Sequence, residues 1–223
     1  AEKIFPYQKS ITGEGIDSAF RDLKNEIDCD IYQFDSGEQI LDWEVPLSWK
    51  CNSLLVKNLK TNETLVSLDS PLRVASHSDS FSGEMLGREL KKKVSRSSKI
   101  PDSLSHGYIY YSEGWSISLT ESEFLKIDDS ANYFVEIDCE TYEGSLKVAE
   151  CKHVGSSKFE IFFLSHLCHP AQFNDGLVGV LANIYLAKWL KKNSENNFYN
   201  YKFLFMPETI GSHAYCSEKK NFE

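Results

Sequence analysis

Basic charge is what this chain has least of. Lysine and arginine total 24 against 33 aspartates and glutamates, a formal net charge of −9. A nucleic-acid backbone is a poor partner for such a surface. The one compact basic run, Lys91-Lys92-Lys93, reads as the solvated face of a helix. Long apolar stretches are missing too: none approaches the roughly 20 residues that cross a bilayer, and no charged-then-apolar leader opens the chain. The six cysteines (Cys29, Cys51, Cys139, Cys151, Cys168, Cys216) include no CxxC pair, which favours reduced thiols over a disulfide framework. The expectations are therefore a cytoplasmic protein with no membrane and no nucleic-acid partner. Its start at Ala1 rather than Met suggests a processed or shortened chain.

What is present is apolar material for a substantial core. The 223 residues are 41% hydrophobic and 13% aromatic, enough for one or two domains. The most informative stretch runs from Phe159 to Gly179. Phe159–Ser165 is an apolar, aromatic run too short for a typical helix and reads as a buried strand. A polar loop with His166, Cys168, His169, Asn174 and Asp175 follows. Leu177–Lys192 is apolar around most of its circumference and free of proline, the pattern of a largely buried helix, with Asn174 or Asp175 as its N-cap. Tyr201–Met206 is a second strand, and Pro207-Glu208-Thr209-Ile210-Gly211-Ser212 leaves its end. Strand, helix, strand predicts a βαβ unit with parallel strands. The two loops then open on one edge of the sheet, where ligands bind in open α/β folds. His169, Asp175 and Glu208 stand there, one imidazole and two carboxylates suited to a metal.

Upstream, Ile16, Ala19, Phe20, Leu23 and Ile27 fall at helical spacing, capped by Thr12 or Asp17. Gly13-Glu14-Gly15 lacks the preceding strand and further glycines of a phosphate cradle. Between Asp30 and Asp138 the chain changes to short extended pieces: Ile31–Phe34, Leu54–Val56, Thr64–Leu68, Leu72–Ala75, Tyr108–Tyr111, Ser116–Leu119 and Tyr133–Cys139 read as strands. Glu84–Val94 and Glu121–Leu125 read as helices, the second capped by Thr120. Trp43 and Trp49 read as neighbouring core aromatics rather than a carbohydrate platform. The run from Gly144 to His153 reads as a lead-in to a turn at Gly155.

Each candidate has an ordinary alternative. His169 could be held by loop hydrogen bonds, Asp175 could only cap a helix, and Glu208 could cap the next turn. A carboxylate just past a buried strand end is costly to leave unpaired, which favours a function for Glu208. His166, nearer the strand, reads as pointing into the sheet. Cys168 beside His169 suggests a thiolate nucleophile, but neighbours on an extended segment face opposite ways, so a buried structural thiol is the better reading. His77, His106, His153 and His213 read as structural or surface residues.

Cys168-His169-Pro170 with Asn174-Asp175, and then Pro207-Glu208-Thr209-Ile210-Gly211-Ser212, resembles a family of bacterial proteins with a zinc-aminopeptidase-like domain, often encoded among surface-polysaccharide genes and related in fold to the co-catalytic zinc exopeptidases. Ser10-Ile11-Thr12-Gly13-Glu14-Gly15, Ser36-Gly37, Asp42-Trp43, Val45-Pro46, Trp49, Ile100-Pro101 and Tyr110-Tyr111-Ser112-Glu113-Gly114-Trp115 are similar to its landmarks in the same order. The resemblance implies an α/β fold: a parallel-sheet exopeptidase-like domain over residues 1–36 and 101–223, incomplete at its C-terminus, with an inserted β-rich domain over 37–100. It implies zinc, with His169 as imidazole ligand, Asp175 as bridging carboxylate, and Glu208 as ligand or catalytic base. It also implies a metal-dependent hydrolase acting on a small peptide-like or amide substrate.

Two departures from the exopeptidase pattern stand out, and the first supports a catalytically silent binding module as the alternative. Pro207-Glu208 stands where relatives carry a Glu-Glu pair, and Ala171 stands where they place an Asp two residues after the first His. The resemblance places the remaining ligands beyond residue 223. With three donors in hand, weak zinc binding is expected, together with an unflanked edge on Tyr201–Met206, either covered by a second copy of the chain or avoided by a fold cut back to fewer strands.

Overall fold

The apolar run 160–166 and the run 200–206 do pair in parallel, in register from Glu160 opposite Asn200 to His166 opposite Met206. The computed structural model describes residues 1–110 and 112–218. In order, the elements are α1 (Glu14–Glu26), β1 (Asp30–Asp35), β2 (Gln39–Ile40), β3 (Trp43–Glu44), β4 (Ser48–Asn58), β5 (Thr64–Ser67), β6 (Phe81–Leu86), α2 (Gly87–Leu90), β7 (Val94–Ser95), β8 (Ile117–Ser118), α3 (Glu121–Leu125), β9 (Asn132–Tyr142), β10 (Ser145–His153), β11 (Glu160–His166), α4 (Val178–Lys192), β12 (Asn200–Met206) and α5 (Ile210–Glu218). No helix among the described residues is long and apolar enough to cross a membrane.

The chain divides into two units, residues 1–48 with 142–223, and residues 49–141. The first is a four-stranded sheet in the order β1-β10-β12-β11. One face carries Phe203, Phe205, Ala149 and Cys151 and packs on Ile16, Ala19, Phe20 and Leu23 of α1 and Val180, Ile184 and Ala187 of α4. The other carries Phe34, Leu146, Val148 and Leu204 under Ala214 and Tyr215 of α5. The helical spacing read in α1 is thus its buried stripe. Its N-cap is Gly13, with no side-chain cap, and Thr12 Oγ1 instead donates to Leu47 O at 3.1 Å. Gly15 is required by packing: a Cβ there would lie 2.1 Å from Gln8 O.

Strand β10 was hidden in the sequence, and it changes the edge. It pairs antiparallel with both β1 and β12, so Tyr201–Met206 is flanked on both sides and the expected unflanked edge does not exist. Among the described residues β11 ends the sheet on that side. Lys147, Glu150 and Lys152 break the apolar alternation of β10, yet Glu150 is only 1% exposed. Burial pushes its carboxyl up, but hydrogen bonds from Tyr32 Oη at 2.6 Å and Tyr215 Oη at 2.8 Å, with Lys152 at 3.0 Å, outweigh it and keep the pKa lowered.

The second unit holds a sheet in the order β5-β4-β9-β6, with Trp49, Leu54, Val56, Leu90, Trp115 and Tyr133 in its core. It runs later at both ends than the 37–100 insertion expected, because β9 supplies a central strand. Trp43 packs instead with the Phe34 cluster of the first unit, so the two tryptophans serve different cores. The helix expected over 84–94 shrinks to the single turn α2, because residues 81–86 pair with β9. Leu72–Ala75 contributes one bridge, Val74 to Ile117, and Tyr108 one to Ser76; Tyr111 lies outside the described residues.

Thr120 caps α3 through a capping box with Glu123. Glu123 also pairs with Arg73, 5% exposed, which reaches Glu123 at 2.7 and 2.8 Å and Asp69 at 2.6 and 3.1 Å. The Arg73 hydrogen bonds hold the Glu123 carboxyl at about 2 against an ordinary 4.5. A depressed carboxyl stabilises the fold fully above the unfolded pKa and loses that contribution as pH falls through the folded one. Glu123→Gln is expected to cost roughly 2–3 kcal/mol at pH 7. In urea titrations the gap to the parent should narrow from about pH 4.5 downward; a gap independent of pH would contradict the assignment.

Candidate metal centre

The site sits where β11 and β12 end side by side. Beyond Ser165, whose Cβ faces Gly179 of α4, the alternation of the strand turns His166 to the other face, that of the exposed Leu164. Its Nε2 lies 3.0 Å from Asp175 Oδ1. The reading of His166 as a sheet-facing residue is thereby corrected: at the last strand position the side chain clears the sheet and meets the loop. The sequence did carry a signal for it, the parity of the strand counted from the buried positions.

Leu167 extends the pairing by donating its N–H to Met206 O at 2.9 Å. Cys168 follows, 6% exposed, and then His169. The two imidazoles meet edge to face with centroids 4.8 Å apart. His169 Nδ1 lies 4.0 Å from Asp175 Oδ1 and its Nε2 lies 3.4 Å from Glu208 Oε2. One ligand atom from each of His166, His169 and Asp175 falls within 4.8 Å of the others. The structure therefore brings together all three residues expected at the site and adds His166. The His169 side chain is 14% exposed, while those of Asp175 and Glu208 are 62% and 56% exposed, so the cluster opens outward through its carboxylates.

Asp175 reaches His166 because the chain does not enter α4 directly. Phe173–Leu177 forms a wide turn in which Asp175 (φ −98°, ψ 88°) and Gly176 (φ 110°, ψ −68°) leave helical geometry. The N-cap of α4 is Leu177, without a side-chain cap. Neither Asn174 nor Asp175 caps the helix, and the carboxylate is left to face the imidazoles.

Burial lowers the His169 pKa, and His166 beside it acts the same way, against the raising effect of Asp175 and Glu208. The neutral ring is the form that binds a metal. Burial also pushes the Cys168 thiol up to about 11, so it is no thiolate nucleophile; its Sγ accepts the Glu208 N–H at 3.3 Å and ties the two loops together. Lys9, 2% exposed and pushed down to about 8 by burial, donates to Ile4 O at 3.0 Å. His213 lies apart, 3.0 Å from Asp42, and His77 stacks on Trp49.

Gly176 is where the turn is vulnerable. A Cβ there would stand 3.0 Å from His166 Cδ2 and 3.1 Å from His166 O, at a φ that L residues rarely adopt. Gly37, at φ 85°, has nothing within 4 Å of its Cβ position and isolates the backbone cost. Gly37→Ala is expected to lose about 1 kcal/mol and Gly176→Ala about 2 kcal/mol or more in urea unfolding. Equal losses would mean that Gly176 does not pack on His166.

Known proteins share this fold. A Clostridium acetobutylicum protein named for polysaccharide biosynthesis and an aminopeptidase-like domain is 33% identical over 220 residues, covering 99% of this chain and 50% of that protein. A crystal structure from the same species, described as a peptidase, superposes with a TM-score of 0.90 at 33% identity, covering 99% of this chain and 51% of that one. The chain thus spans about half the length of these relatives. The fold is shared with a zinc aminopeptidase from Bacillus subtilis, at TM-score 0.58 and 9% identity over 96% of this chain and 61% of that one. It is shared also with a peptidase M28 precursor from Shewanella amazonensis, at TM-score 0.57 and 11% identity over 98% of this chain and 65% of that one. The family model described as domain of unknown function DUF4910 matches residues 1–222, and the chain belongs to that family.

Proposed function

We propose that this chain carries one half of a zinc-dependent, aminopeptidase-like hydrolase that cleaves a peptide or amide bond in a small substrate. The observation that carries the reading is the convergence of His166, His169 and Asp175 at the C-terminal edge of the parallel strands. Two imidazoles, one of them pushed toward its neutral form by burial, and a carboxylate make a donor set that suits zinc. Three protein donors with an open position are what a catalytic zinc requires. The count of three that led to the expectation of weak binding included Glu208 and omitted His166.

With His166 in the set, Glu208 need not be ligand and base at once. Its carboxylate, 3.4 Å from His169 and more than half exposed, is the proton acceptor of the site, held by the Cys168 contact to its backbone. Bound zinc would supply Lewis acidity that makes water nucleophilic near neutral pH. The zinc-aminopeptidase fold neighbours and the aminopeptidase-like name of the Clostridium relative support the same reading. One observation favours the silent binding module instead: Pro207 precedes Glu208, where the family resemblance implies a second glutamate.

Calorimetric titration with zinc is expected to give one site per chain with a Kd in the micromolar range or tighter. His166→Ala and Asp175→Ala should each weaken it at least about tenfold. Unchanged affinity in His166→Ala would remove the proposed site. Aminoacyl-anilide turnover by the zinc-loaded protein, lost in Glu208→Gln with zinc still bound, separates the hydrolase from the module; binding without turnover in the parent favours the module.

A further inference from the structure

In the second unit, β4 and β9 lie side by side at the centre of the sheet, and their side chains fix the register. Lys50 Nζ is 3.1 Å from Glu140 Oε2, and Asn52 Nδ2 donates to Asp138 Oδ2 at 3.2 Å. As numbering rises along β4 it falls along β9, so the strands run antiparallel, and between these two cross-strand pairs Cys51 stands directly opposite Cys139. Further along, Leu59 N–H donates to Asn132 O at 3.0 Å and Asn58 Nδ2 to Tyr133 Oη at 3.3 Å, a register one residue out of step with the first. The extra residue belongs at Asn52-Ser53: both are exposed, while Trp49 and Cys51 before them and Leu54 and Val56 after them are buried. The bulge therefore keeps Cys51 on the inward face, the face of Tyr133, Val135 and Ile137 on β9, and Cys139 shares their parity.

Opposed residues on antiparallel strands have Cα atoms about 4.5–5.5 Å apart, inside the range of roughly 4.4–6.8 Å that a disulfide spans. The Cys139 S–H donates to the Cys51 sulfur, which draws the Cys51 pKa down and pushes that of Cys139 up. Cys51 is 8% exposed and Cys139 half-buried, so a small oxidant can reach the pair. Neither forms a disulfide in the structure, and the Cys51 S–H also donates to Ser53 O at 3.4 Å.

We propose that Cys51 and Cys139 form a redox-active dithiol that closes to a reversible intramolecular disulfide on exposure to hydrogen peroxide. The Cys51 sulfur, giving its proton to the departing oxygen, attacks one peroxide oxygen; the O–O bond breaks, one water leaves, and Cys51 becomes a sulfenic acid. The Cys139 sulfur then attacks the Cys51 sulfur, the S–O bond breaks, and the second water carries away the Cys139 proton. Two thiols and one peroxide give one disulfide and two waters, with each sulfur oxidised by one electron. A small dithiol reverses the reaction by exchange and is itself oxidised. The product joins the two central strands of the sheet covalently.

The chain supplies its own comparison. Continuing the β1–β10 register one step past Asp30 opposite Glu150 sets Cys29 against Cys151. These two are 6% and 4% exposed within the first core, and burial pushes both thiols up. The test is peroxide treatment of the folded full chain, alkylation of remaining thiols in denaturant, and peptide mass mapping before and after dithiothreitol. The expected result is a Cys51–Cys139 cross-linked peptide in most chains, absent after dithiothreitol, with Cys29, Cys151 and Cys168 alkylated as in the untreated protein. Full alkylation of Cys51 and Cys139, oxidation of either to a sulfinic acid without cross-linking, or preferential linkage of Cys29 to Cys151 would each overturn the proposal. Cys51→Ser should abolish the cross-link and leave the circular dichroism unchanged; a cross-link from Cys139 to another cysteine in this variant would also overturn it.

Discussion

The in-register parallel pairing of β11 with β12 is the constraint on which the candidate centre depends. Parallel strands deliver their C-terminal ends to one edge, so the loop carrying His166 and His169 and the loop carrying Glu208 emerge beside each other although some 40 residues separate them in sequence. The register is held from both faces. Phe203 and Phe205 of β12 are locked under α1 and α4, and Leu204 is locked under α5. A one-residue slip would send each of these side chains to the wrong layer. The hydrophobic pattern that makes the core thus also positions the polar cluster at its rim.

Around that edge, backbone irregularity places the donors. Left-handed Gly176 lets the chain pass close over the His166 ring, and the open turn at Asp175 keeps its carboxylate out of the helix cap. Cys168 contributes packing and one contact to the Glu208 amide rather than reactivity, because burial keeps it a thiol. The polar core of the sheet has a comparable device in Glu150, whose partners Tyr32 and Tyr215 come from β1 and α5 and tie both to β10. Buried ionisable groups persist in these places because their hydrogen-bonding capacity is met.

The sequence was most legible where one period ran unbroken. The strands at 160–166 and 200–206, the helix between them and the α1 stripe were visible as apolar patterns, and His169, Asp175 and Glu208 converge as their spacing implied. It was least legible where tertiary contacts override the local pattern. Glu150 and its lysine neighbours disguised β10, since nothing nearby announces two tyrosine hydroxyls coming from distant elements. Residues 84–94 look helical locally but begin as a strand because β9 offers them a partner. Asp175 has the composition of an N-cap and fails to act as one because Gly176 takes the chain out of helical geometry. His166 reads as sheet-facing from its nearness to the strand, and the strand parity that turns it the other way becomes decisive only once the buried face of β11 is known.

The most direct measurement is X-ray absorption at the zinc edge on the zinc-loaded protein. Coordination by His166, His169 and Asp175 predicts a first shell of nitrogen and oxygen at about 2.0–2.1 Å, with the outer-shell scattering of two imidazoles. A sulfur at about 2.3 Å would place Cys168 on the metal, and a shell with one imidazole would remove either His166 or His169; either result would contradict a centre built from two imidazoles and a carboxylate.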